Sequence, residues 1–136
     1  METFEFENDI SLICVTAKSF PNGVLAAHEK LHALLKSVEG RTFYGISCPN
    51  KEGTIVYKAA VEQQHSGEAE ELKCERIVLK RGNYTGTIIR NFHSDVQQVG
   101  TTFQTLVADP RIDPKGYCVE LYLNENDVQC MVRLNV

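Results

Sequence analysis

The sequence predicts an α+β domain in which one strand-helix-strand-strand unit occurs twice. The two copies share an antiparallel sheet, with two helices on one face and a groove between the halves. An internal duplication, two stretches of helical periodicity and a set of β-rich alternating stretches lead to that expectation.

The duplication appears when the chain is shifted by 72 residues. Lys18-Ser19-Phe20 then falls on Arg90-Asn91-Phe92, and Asn22 falls on Ser94, both good helix N-caps. Val24, Ala27, Leu31, Leu34 and Leu35 fall on Val96, Val99, Phe103, Leu106 and Val107. With one further residue of slippage, Tyr44 and Ile46 meet Tyr117 and Val119, and Ile55, Tyr57, Ala59 and Val61 meet Val128, Cys130, Val132 and Leu134. The repeat therefore covers about 10–62 and 82–135.

Residues 2–7 read as a short extra edge and 10–19 as the first strand of the repeat. Positions 24, 27/28, 31, 34/35 and 38 recur at helical spacing, and Gly40 stops the helix. Strands follow at 42–48 and 54–62, because both stretches are rich in Val, Ile, Thr and Tyr and alternate. Gln63 to Glu71 is polar, acidic and aperiodic, as an exposed connector should be. A strand at 74–80 leads into Arg81-Gly82-Asn83-Tyr84, which reads as a tight turn into a strand at 84–91. The second helix, marked by Val96, Val99, Phe103, Leu106 and Val107, ends at Asp109-Pro110, with Gly100 inside it as a point of close backbone approach. Strands at 116–123 and 127–134 complete the second half. Neither half has enough strands to cover its own faces, so the two must fold as one domain spanning 1–136, with the face away from the helices or the central groove partly open.

At 136 residues and 43% hydrophobic, the chain can bury a core without staples. No apolar run approaches the ~18 residues that span a bilayer, and Met1 to Asn8 is acidic where a signal peptide is basic and then apolar. A cytoplasmic protein without membrane association is expected. Five cysteines with no C-x-x-C pair read as reduced thiols. A net charge of -4, with Lys80-Arg81 as the nearest thing to a basic patch, argues against nucleic-acid binding.

His28-Glu29-Lys30-Leu31-His32 spells the H-E-x-x-H of zinc proteases. On a helical wheel with Val24 at zero, however, His28 and His32 lie at about +40° and +80°, flanking the core stripe. The second helix has Gly100 and Gln104 at the matching positions, and no later segment supplies a third ligand. No metal is expected there, and His28 and His32 are expected to take no part in binding. Cofactor fingerprints are also missing: there is no phosphate-binding loop, dinucleotide motif or nucleophile elbow.

Glu120 is the sharper candidate. In Gly116 to Leu123, alternation puts Tyr117, Val119, Leu121 and Leu123 on one face and Cys118, Glu120 and Tyr122 on the other. A carboxylate in mid-strand is either a solvated charge or, in a groove, a desolvated anion that needs a cation or a proton. All five tyrosines, Tyr44, Tyr57, Tyr84, Tyr117 and Tyr122, fall in expected strands, where each ring is either ordinary strand packing or the wall of a pocket for flat or cationic ligands.

Three segments taken together resemble the GyrI-like family, the effector-binding domains of multidrug-responsive transcription activators and stand-alone gyrase-inhibitor-like proteins. They are Phe43-Tyr44-Gly45-Ile46, the run from Ile77 through Tyr84 to Arg90, and Val119-Glu120-Leu121-Tyr122 with its closing strand. The likeness covers nearly the whole chain. It implies a groove that binds a lipophilic or cationic small molecule, with Glu120 matching the family's acidic residue, Tyr84 and Tyr122 its aromatic walls, and Tyr44 and Tyr57 as further candidates. Some relatives hydrolyse electrophilic ring compounds, which would make Glu120 with Tyr84 or Tyr122 catalytic. Others act on a protein partner such as gyrase or a regulator, and a half-open sheet face would suit a homodimer. The chain departs from the family in having no preceding helix-turn-helix region and no Trp. The expected protein therefore senses or sequesters its ligand without binding DNA.

Overall fold

The computed structural model describes residues 1–135. Its elements run β1 (Glu2–Phe6), β2 (Ile10–Thr16), α1 (Val24–Leu34), β3 (Phe43–Pro49), β4 (Ile55–Glu62), α2 (Glu68–Glu71), β5 (Glu75–Leu79), β6 (Gly82–Ile89), α3 (Gln97–Val107), β7 (Cys118–Tyr122) and β8 (Val128–Arg133). All eight strands join one curled antiparallel sheet in the order β1-β6-β8-β7-β3-β4-β2-β5. That order is symmetric about the β7–β3 junction, with β3, β4 and β2 mirrored by β7, β8 and β6. Ile46, which the repeat lays on Val119, also pairs with it, so a pseudo-two-fold axis passes between them.

The strand before each unit crosses to the other half. β1 pairs with β6 (Phe4↔Tyr84), and β5 pairs with β2 (Leu12↔Ile77). The expected tight turn at Arg81 to Tyr84 is thus corrected, because β5 and β6 are adjacent in sequence yet pair with different partners. The crossing is held by the Arg81 backbone: its N–H donates to Asp9 Oδ1 at 2.8 Å and its carbonyl accepts Arg133 Nε at 2.9 Å. Gly82 continues it at a φ of 133°, a conformation that side chains disfavour.

Pleat alternation gives the sheet two unlike faces. On one, Ala27 and Leu31 of α1 pack on Ile13, Val15, Ala59 and Val61. Leu106 of α3, with Val99 and Phe103, packs on Ile89, Val128, Cys130 and Val132. The register Phe43↔Val61, Gly45↔Glu120↔Cys130 puts both groups on the same side, so α1 and α3 flank a groove over the central strands. Of the two surfaces expected to be partly open, the face away from the helices is filled by the curl of the sheet, which leaves the central groove. Leu12, Cys14, Tyr44, Ile46, Ala60, Leu79, Tyr84, Val119 and Met131 form a core there, edged by Phe4 and Phe6.

Two local expectations also change. The first helix ends at Leu34, with Leu35 already extended, while Gly40 takes its positive φ of 70° in the turn beyond. The connector is not structureless, because Glu68–Glu71 forms a helical turn. Glu68 accepts both Arg41 Nη1 and Nη2, at 2.9 and 3.1 Å, with only 10% and 5% of the two side chains exposed. Bidentate geometry and a third donor, the Gln64 N–H at 2.9 Å, satisfy the buried carboxylate and fix the connector to the first half. Among the described residues, no helix is long and apolar enough to cross a membrane. All five cysteines are free.

Candidate functional site

The groove floor is built around a missing side chain. On β7, Glu120 points to the helix face directly opposite Gly45 of β3. A Cβ at Gly45 would lie 2.8 Å from Tyr57 Cζ and nearer still to the Tyr57 hydroxyl and Glu120 Oε1. Glycine at this position is what allows a tyrosine from β4 and a carboxylate from β7 to meet across β3.

Three polar groups converge there. Tyr122 donates its hydroxyl to Glu120 Oε1 at 2.6 Å, and Tyr57 donates to the same oxygen at 2.9 Å. The two hydroxyl oxygens are 3.1 Å apart. His28 of α1 brings Nε2 to 2.8 Å from the Tyr57 hydroxyl. With its one hydroxyl proton directed to Glu120, Tyr57 can only accept from His28, which assigns the imidazole proton to Nε2. A directed chain results, His28 to Tyr57 to Glu120, with Tyr122 donating from the other side.

Aromatic rings close over this chain. The His28 ring stands edge-on to Tyr57 and Tyr122, with centroids at 5.8 and 5.6 Å. Phe20 stacks on Tyr57 at 5.9 Å, and Phe92 tilts against Tyr122 at 6.0 Å. Phe20 and Phe92 are the pair that the repeat superposes, each just ahead of its half's helix. The duplicated sequence thus supplies a ring on each tyrosine.

Burial dominates the electrostatics. Glu120 keeps some exposure toward the groove, but the protein packed around its carboxylate displaces water and raises its pKa. The two tyrosine hydrogen bonds pull the other way without overcoming that rise. Burial, with His32 adding to it, lowers His28 to about 4, so the imidazole is neutral at pH 7. Burial and the neighbouring carboxylate push both Tyr57 and Tyr122 upward. The thiols of Cys118 and Cys130 on the same face rise to about 11 and 12, first through burial and then through Glu120.

Of the five residues singled out in the sequence, the fold brings Glu120, Tyr122 and Tyr57 together and separates Tyr44 and Tyr84 from them. Tyr44 pairs with Leu121, the neighbour of Glu120, and so points to the opposite face. Tyr84 is buried in that same core, donating to Lys80 O at 2.6 Å and tilting against Phe6 at 4.9 Å. Beside it lies a pocket of about 110 Å³ shared with Leu79, Asp113, Tyr117 and Arg133, small for a drug-sized ligand. The expectation that Tyr84 stands near Glu120 is therefore corrected; pleat parity, which is invisible until strands are registered, decides it.

The H-E-x-x-H segment divides in a similar way. His28 turns to Tyr57, His32 stacks on Phe43 with centroids 4.3 Å apart, and Glu29 is exposed. Among the described residues, no three His, Cys, Asp or Glu side chains are grouped to hold a metal ion. His28 was expected to stand aside from the site, but its ring covers it. The signals were its place beside the core stripe and the superposition of Phe20 on Phe92.

No protein-family model matches the chain, and no curated protein matches it in sequence. Solved structures do share its fold. An integron cassette protein from the mobile metagenome of Vibrio cholerae aligns with a TM-score of 0.71 at 15% identity, over 98% of this chain and 94% of its own. SAV2435, solved bound to tetraphenylphosphonium, aligns with a TM-score of 0.68 at 15% identity, over 97% and 93%. A hydrolase from Listeria innocua aligns at 0.57 and 12% identity, over 98% and 90%. At these identities the likeness is one of fold.

Proposed function

We propose that this chain is a GyrI-like small-molecule-binding protein that takes a lipophilic, aromatic cation into the groove between α1 and α3, with Glu120 as its counter-charge. The observation that carries the reading is a carboxylate held among aromatic rings with no positive side chain in its cluster. Both tyrosine hydroxyls occupy Oε1. Among the described residues no protein donor bonds Oε2, which leaves that oxygen for a guest. A cation there would meet an anion at low local dielectric and the faces of Tyr57, Tyr122, Phe20 and Phe92. Phe20, 47% exposed and outside the strands, is the ring that can most easily swing away to admit it. The similarity of fold to SAV2435, a protein that binds such a cation, supports this choice of ligand class.

Calorimetric titration with tetraphenylphosphonium tests the proposal. Glu120→Gln, nearly isosteric and uncharged, should weaken binding by about 1.5–3 kcal/mol, the scale of an interaction with a charged group. Neutral triphenylphosphine oxide should change far less. Absence of binding by the parent protein, or unchanged affinity in the variant, would overturn the reading.

A second reading rests on the hydrogen-bond chain itself. A carboxyl with a raised pKa, short of water and bonded to two tyrosines, is equipped for acid–base work on an electrophilic substrate. The fold is also shared with a hydrolase. On that reading Glu120→Gln abolishes turnover of an epoxide-type probe while leaving its binding largely intact, a split that a pure binding protein would not produce.

A further inference from the structure

Every element around Glu120 faces it with a neutral group. β3 contributes Gly45 and Ser47; β4 contributes Tyr57; β7 contributes Cys118 and Tyr122; β8 contributes Cys130. From α1 comes His28, while Glu29, Lys30 and His32 lie exposed on its other sides. The α3 sequence, Gln97 to Val107, holds no ionisable residue, and the segment before it offers the Phe92 ring.

Granted the cation-binding reading above, we infer that Glu120 carries a proton while the groove is empty and releases it when the cation enters, so that one proton leaves for each ligand bound. The geometry permits this without rearrangement. Both hydroxyl donors converge on Oε1, so a proton on Oε2 breaks neither hydrogen bond. The neutral acid keeps its partners, whereas the anion would stand largely desolvated with no cation to balance it. Burial raises the pKa of Glu120 above the ordinary 4.5, in agreement with that picture.

No other member of the cluster can take over the exchange. His28 is held neutral down to about 4, and its Nε2–H is committed to Tyr57. The tyrosines and the two thiols are shifted upward, away from neutral pH. In the balanced step, the carboxylic acid and the free cation become a carboxylate–cation pair, and the proton passes to water or buffer.

The consequence is a binding affinity controlled by acid. Below the pKa of Glu120 in the empty protein, ligand must displace a proton, and the dissociation constant should rise close to tenfold for each unit the pH falls. Above that pKa it should be flat. Acidification would thus unload the groove, whereas a neutral guest would be insensitive to it.

Titrating tetraphenylphosphonium into the full chain from pH 5 to 8, in two buffers of different ionisation heat, measures the protons released directly. The expected result is proton release that grows toward one per ligand as the pH falls, with Glu120→Gln showing weaker and pH-independent binding. Carboxyl-carbon NMR of the ligand-free protein should show Glu120 titrating above 4.5. Binding with a flat pH profile, a slope retained in Glu120→Gln, or a free-protein titration at or below the ordinary value would overturn the exchange while leaving cation binding standing. Failure of the cation to bind at any pH would remove the binding reading, and the exchange with it.

Discussion

Gly45 places a constraint on the site that neither Glu120 nor Tyr57 could impose alone. Tyr57 is 2% exposed and cannot step aside, so a methyl group on residue 45 would drive the carboxylate off its two hydroxyl donors. Gly45→Ala should therefore keep the fold, at an overpacking cost of about 1–3 kcal/mol, and lose most of its affinity for tetraphenylphosphonium. Circular dichroism and calorimetry on the same sample would separate the two effects; an alanine variant that binds as the parent does would show that the close approach is unnecessary. How Glu120 shares a face with Tyr122 could be read from strand alternation within one segment. Its companionship with Tyr57 rather than Tyr84 could not, because that depends on which strands pair and in what register. Tyr57 and Glu120 lie 63 residues apart, and only β3, lying between them with a glycine, joins them.

The two helices occupy equivalent stations but are not equally anchored. α1 buries Ala27 and Leu31, whereas α3 buries Leu106 alone and leaves Val99 and Phe103 partly exposed. Leu31→Ala should cost about 2–5 kcal/mol in a denaturant titration, as expected of a fully buried leucine, and Phe103→Ala distinctly less. Equal losses would mean that α3 is packed as firmly as its counterpart. Gly100 was expected to permit a close backbone approach, yet nothing lies within 4 Å of the Cβ it lacks. Gly100→Ala should accordingly stabilise α3 by up to about 1 kcal/mol through helix propensity alone, which the same titration would detect. Helical periodicity found both helices because each has an apolar stripe. It missed α2, whose four residues are too few to show a period and whose stability comes from Arg41, a residue 27 positions earlier.

At the scale of the whole molecule, the halves are interlocked as well as apposed. Self-alignment revealed the two copies, since apolar positions meet apolar positions throughout, but pattern reports which face a residue prefers and not which strand it pairs with. The exchange of β1 and β5 between halves was therefore hidden, with β1 read as a stray edge and β5 as one arm of a turn. That exchange has a testable consequence. A fragment of residues 1–71 would contain β1 without its partner β6, β2 without β5, and β3 with its β7 edge bare. Residues 72–136 would have the complementary defects. Each fragment would expose one side of the core on the face away from the helices, which the curl closes only when Leu12 and Leu79 of one edge meet Tyr84 and Met131 of the other. Neither should fold by itself: separate spectra should show the narrow amide dispersion of an unfolded chain. Mixed in equal amounts, they should recover a dispersed spectrum and, with Tyr57 from one piece and Glu120 and Tyr122 from the other, bind tetraphenylphosphonium. A single fragment that gave a dispersed spectrum unaided would mean that one half can satisfy its own sheet edges, and that strand exchange contributes little to the fold.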